Sequence, residues 1–171
     1  MTKTRKPLFT IASCAAAALA VSGAALAIPA AGAQTRERIA NDPSECAPGA
    51  GPSIKVTVEG IRAASGKMRV QSYHATKGDW LEKGRWINRI EVPAKAGTMS
   101  FCVPMPSAGT YGIAVRHDMN GNGKTDITKD GGGMSNNPSI NIFNLGKPSY
   151  KKVGVTVGQG PTPITIEMKY W

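Results

Sequence analysis

Residues 99–118 read MSFCVPMPSAGTYGIAVRHD. Met99, Phe101 and Val103 alternate with Ser100 and Cys102, and Tyr111, Ile113 and Val115 alternate with Gly112, Ala114 and Arg116. Successive side chains of a strand point to opposite faces, so each run presents one apolar face. Between the runs lie Pro104, Pro106 and Gly109, residues that stop a strand and favour a turn. Two short one-faced strands within twenty residues already point to an all-β chain.

The same pattern recurs on both sides. Ile54, Val56 and Val58 alternate up to Gly60; Met68, Val70 and Ser72 follow the Ser65-Gly66 turn; Ile90 and Val92 run to Pro93. Towards the C-terminus, Val153, Val155 and Val157 precede a Gly- and Pro-rich turn, and Ile164, Ile166, Met168 and Tyr170 finish the chain. That makes seven runs. The exception is residues 79–83, where Asp79 is placed to cap a turn of helix. One-faced strands bury their apolar side against one another. The expectation is a seven-stranded antiparallel β-sandwich, immunoglobulin-like or prealbumin-like. The 20 Gly and 12 Pro of this 171-residue chain then serve as punctuation. At 41% hydrophobic and 19% charged residues the composition excludes a disordered or coiled-coil chain.

Residues 1–33 have the layout of a secretory signal peptide: basic Lys3, Arg5 and Lys6, an Ala-rich apolar run, then small residues at Ala25, Ala27, Ala31 and Ala33. An uncleaved anchor is the competing reading, because about twenty apolar residues span a bilayer. The run is mostly Ala and ends at good cleavage sites, which favours cleavage and leaves no transmembrane anchor. The expected protein is therefore periplasmic or secreted. Cleavage removes three of the charges behind the formal net +10, together with Cys14. A polar, Pro-rich lead-in covers residues 34–52, and the β domain covers 53–171. Cys46 and Cys102 then remain, either as a disulfide or as two thiols. In an exported protein the bridge is favoured, and closing so long a loop contributes about 4 kcal/mol in the chain-entropy view.

From Asp118 the chain reads DMNGNGKTD. Oxygen-bearing side chains at alternate positions with Gly at the sixth let a loop wrap a hard cation. Asp118, Asn120, Asn122 and Asp126 would offer side-chain oxygens, Lys124 its carbonyl, and Asp130 a replacement for a missing last ligand. The twelfth position, where an EF-hand has Glu, is Lys129, and a strand precedes the loop where an EF-hand has a helix. The site is thus a weak Ca²⁺ loop of its own kind, or a metal-free Asn-Gly turn. The acids at both ends favour Ca²⁺.

The run YGIAVRHDMNGNGKTD at 111–126, followed by Gly133-Met134-Ser135-Asn136-Asn137-Pro138, resembles the bacterial family DUF2141. That family's signature is G-x-Y-A-x-x-x-x-H-D-x-N-x-N-x-x-x-D and then a G-F-S-N-N-like element. The resemblance covers about residues 53–171 and implies an exported β-sandwich with no established activity. Met134 stands where an aromatic is usual, Gly112 where Ala is frequent, and the segment between the two motif elements is short. The resemblance gives Ser135, Asn136 and Asn137 a role in reinforcing the preceding loop.

Catalysis is not expected. His117 and Ser135 suggest a hydrolytic pair, but G-M-S-N-N is not a nucleophile elbow. Two histidines, His74 and His117, with two paired cysteines leave zinc without ligands. Scattered basic residues in an exported chain argue against nucleic acid. Trp80 and Trp86, interleaved with Lys77, Lys83 and Arg85, form either a surface for a glycan or envelope component or the packed cap of a sandwich end. The leading expectation is a non-enzymatic module with a Ca²⁺ loop. The alternative is a carbohydrate- or envelope-binding accessory protein.

Overall fold

A computed structural model describes residues 1–2, 36–140 and 146–170. The chain divides into a unit at Met1–Ala31 and a second at Gly32–Trp171. Apart from Met1 and Thr2 the first, including nearly all of the expected signal segment and Cys14, lies outside the described residues. All the elements below belong to the second. No helix among the described residues is long and apolar enough to cross a membrane.

The unit is all-β. Its strands are β1 (Glu37–Arg38), β2 (Ser53–Ile61), β3 (Lys67–His74), β4 (Asn88–Pro93), β5 (Gly97–Pro104), β6 (Gly109–Asp118), β7 (Gly131–Met134), β8 (Val155–Val157), β9 (Pro161–Glu167) and β10 (Lys169–Tyr170). A 3₁₀ turn at Pro43–Cys46 and one helical turn, α1 (Tyr150–Val153), complete it. A seven-stranded sheet runs β1-β4-β3-β6-β7-β10, with β8 also paired to β6, and a three-stranded sheet runs β5-β2-β9.

The alternation places the core. Ile54, Val56, Val58, Phe101, Val103 and Ile166 of the small sheet fall in one buried cluster with Met68, Val70, Ile90, Tyr111, Ile113 and Val115 of the large one. Each such side chain removed from water contributes about 1.5–3 kcal/mol. A second cluster, Tyr73, Trp80, Met134 and Val153, lies on the other face of the large sheet.

Three expectations need correction. The described strands number ten, and the sheets are mixed: β2 pairs with β9 in parallel from Ser53↔Pro161 to Glu59↔Glu167, and β1 pairs with β4 in parallel. Alternation specifies which face is buried and carries no information about a neighbour's direction. Pro161 and Pro163 are tolerated because, among the described strands, β9 pairs with β2 alone and is an edge strand. Second, Gly60 does not end its strand. It sits at φ +75° where the β2–β5 register shifts, and the strand continues to Ile61. Third, residues 79–83 make turns instead of helix, with the Trp80 N–H donating to Thr76 O at 3.1 Å.

The lead-in is tied to both sheets. β1 lies along β4, while Asn41 works as a short surrogate strand on β5. Its Oδ1 accepts from Cys102 N at 3.0 Å, and its Nδ2 donates to Ser100 O at 3.0 Å. Cys46 and Cys102 are disulfide-bonded, with Cα atoms 5.7 Å apart. Two strand edges that would otherwise present unpaired backbone are thereby covered.

Candidate functional site

β6 delivers Asp118 to the start of the loop, and β7 collects the chain again at Gly131. Between them the side chains fold back on the backbone. Asp118 Oδ2 accepts from Gly123 N at 2.8 Å, Asn120 Oδ1 from Asn122 N at 3.1 Å and Asn122 Oδ1 from Lys124 N at 2.7 Å. Asn and Asp adopt such self-bonded turns readily. Asp126 Oδ2 accepts from the amides of Asn120 at 2.7 Å and Asn122 at 2.8 Å. These two bonds, Asn120 first, hold its carboxyl below the ordinary range.

Asp130 is the anchor of the loop. Only 2% exposed, it accepts from Met119 N at 3.2 Å through one oxygen and from Asp126 N at 2.9 Å through the other. Arg116 reaches in from the strand, donating to Thr125 Oγ1 at 2.9 Å, Gly123 O at 3.0 Å and Asp118 Oδ2 at 3.4 Å. Among the described residues two buried side-chain atoms have no hydrogen-bond partner: Asp118 Oδ1 and Arg116 Nε. Among the described residues no three His, Cys, Asp or Glu side chains gather to hold a metal. Asp118, Asn120, Asn122, Asp126 and Asp130 are thus joined by hydrogen bonds in one loop, and Lys124 contributes its backbone N–H.

The Ser-Asn-Asn element does not reinforce this loop. Ser135 Oγ accepts from Ile113 N at 3.0 Å and donates to Val153 O at 2.6 Å, which ties β6 to α1. Asn136, at φ +63°, donates to Gly154 O at 2.9 Å. Asn137, at φ +46°, donates to Thr165 O at 3.1 Å and accepts from Glu167 N at 2.9 Å. The last pair gives β9 a side-chain substitute for the neighbour its outer edge lacks. Asn suits both positions because it tolerates left-handed backbone. A family model described as an uncharacterized protein conserved in bacteria (DUF2141) matches residues 56–165, more than half of the chain. The chain belongs to the DUF2141 family. No curated protein and no solved structure matches it.

In this DUF2141 chain the two tryptophans part company. Trp80 is 2% exposed, donates from Nε1 to Pro148 O at 2.9 Å and meets the Tyr73 ring edge-on. It is a packing residue, the second of the two readings open to it, and not part of an exposed ligand surface. A Cβ at Gly112 would come within 2.6 Å of its ring, so the missing methyl makes room for the indole. Trp86 is half-buried, with the Arg89 guanidinium 4.3 Å from its ring centroid.

His117 and Ser135 do not meet. His117 is fully buried, and both its ring nitrogens are engaged, by Tyr170 Oη at 2.7 Å and Ser65 O at 2.8 Å. Sequence reasoning missed Arg116, whose signal was one basic residue at a strand position facing away from the core. It also missed β7, because Gly131-Gly132-Gly133 has no strand propensity.

Proposed function

We propose that this DUF2141 protein is an exported, non-catalytic β-sandwich module of immunoglobulin-like or prealbumin-like organisation whose 118–130 loop takes up Ca²⁺. One observation carries the cation: Asp118 Oδ1 is buried and has no hydrogen-bond partner. A desolvated carboxylate oxygen without a donor is costly, and a hard cation entering the loop satisfies it. The wrapped backbone supports this reading, since Asn120 and Asn122 are already turned with oxygens on alternate positions. Too few acids gather for tight binding, so amide and carbonyl oxygens supply most ligands and affinity falls in the roughly 10⁻⁴–10⁻³ M range of extracellular sites. Arg116 competes for the same carboxylate and lowers it further.

Export rests on the signal-like residues 1–33 and on the disulfide, which persists in oxidising compartments. The absence of catalysis is supported by His117 and Ser135, whose polar atoms are spent on structural partners. Calorimetry of chelator-stripped protein tests the cation. Saturable Ca²⁺ binding is expected, with a raised melting temperature, and both are lost in Asp118→Asn. No heat and no thermal shift at millimolar Ca²⁺ would overturn it.

A further inference from the structure

On the outer face of the large sheet, three strands bring two rows of side chains into register. Arg69, Arg116 and Gly132 form one row, and Gln71, Ala114 and Met134 the next. Among the described residues these six floor a cleft of about 350 Å³, flanked by Leu81 and Ile127. That is the size of a small-molecule site, and the composition is the usual one, an apolar lining with a few polar groups.

Arg69 is paired with Glu91 and Arg116 with Asp118, yet two features of the lining still favour an added anion. Arg69 and Arg116 stand directly opposite one another on the same face, an arrangement of like charges that destabilises an antiparallel pair. Both are largely buried, their side chains 19% and 15% exposed. Arg116 Nε has no acceptor among the described residues. At the rim, Ile127 is 58% exposed, the one large apolar side chain besides Met1 to stand so among the described residues. The remaining acid of the lining, Asp130, is occupied by the N–H groups of Met119 and Asp126.

We propose that this cleft binds an apolar monocarboxylate. The carboxylate lies between Arg69 and Arg116, relieving their repulsion through charge-assisted bonds. The hydrocarbon body covers Ala114, Met134, Leu81 and Ile127. The cleft shares Arg116 with the cation loop, and a test with chelator present keeps the two readings apart.

The probe is decanoate, titrated calorimetrically into the full chain in chelator, below its micelle-forming concentration, with decanol as the uncharged control. Saturable one-to-one binding is expected, with decanol at least about tenfold weaker, the loss of one charge-assisted contact. Arg116→Gln should weaken decanoate by about the same factor. Ile127→Ser, at an exposed position that folding tolerates, should weaken both ligands, and melting curves verify that each variant is folded. Three results would each overturn the proposal: no saturable binding of decanoate, equal affinity for decanol, or binding unchanged in both folded variants.

Discussion

His117 Nδ1 and Tyr170 Oη lie 2.7 Å apart, joining the end of β6 to the last described residue of the chain. The bond is part of a closed relay. His117 Nε2 faces Ser65 O at 2.8 Å, a group only an N–H can satisfy, and Arg62 N donates to Tyr170 Oη at 3.0 Å. Nε2 therefore carries a proton, donated to Ser65 O, and in the neutral ring the Tyr170 hydroxyl donates to Nδ1. The buried histidine is a tie between β6, the 65–66 turn and β10.

Removing the hydroxyl tests the tie. Tyr170→Phe leaves a fully buried ring nitrogen without its donor, and urea unfolding should show a loss of about 1–3 kcal/mol. A loss within error of zero would mean that water or another donor replaces the hydroxyl.

Gly131 permits the Tyr170 ring to lie where it does. A Cβ there would stand 2.4 Å from the ring. Gly131→Ala should therefore displace Tyr170 and cost about 1–3 kcal/mol. Because the methyl and the hydroxyl act on one ring, the double variant Gly131→Ala with Tyr170→Phe should cost less than the two single losses summed. Additive losses would show that the ring does not mediate the effect.

The disulfide should matter more than any single tie in the lead-in. Replacing Cys46 and Cys102 with Ser frees a long loop in the unfolded chain, and stability should fall by about 4 kcal/mol. Asn41→Ala, which removes two backbone-like bonds to β5, should cost about 1–2 kcal/mol on the same unfolding curve. If the Ser variant unfolds at the wild-type midpoint, the lead-in contributes nothing through the bridge.

Glu91 sets a pH dependence. Burial pushes its carboxyl up, but the hydrogen bond from Arg69 and the charges of Arg69, Arg38 and Arg89 outweigh that and leave it below the ordinary range. A carboxyl lowered on folding stabilises the protein above its unfolded pKa, and that contribution disappears as pH falls through the folded value. Wild type should therefore lose stability below about pH 4 more steeply than Glu91→Gln. Parallel melting profiles for the two proteins between neutral and acid pH would refute this.

Alternation at 54–58, 68–72, 99–103 and 111–115 settles which side chains are buried, because orientation along a strand depends only on residue parity. For that reason the core residues of these four strands were legible before any neighbour was known, as was the oxygen pattern of the 118–126 loop. Partnership is different. That β9 lies parallel beside β2, that a Gly-Gly-Gly strand exists, and that Arg69 faces Arg116 depend on register between segments far apart in the chain. Trp80 makes the point in one residue. Its neighbours in sequence, Lys77, Lys83 and Arg85, describe a surface, yet Gly112 opens a slot on another strand and the indole fills it. Local pattern carries burial and turn chemistry; the energy of distant packing decides which surfaces meet, and so where a ligand can enter.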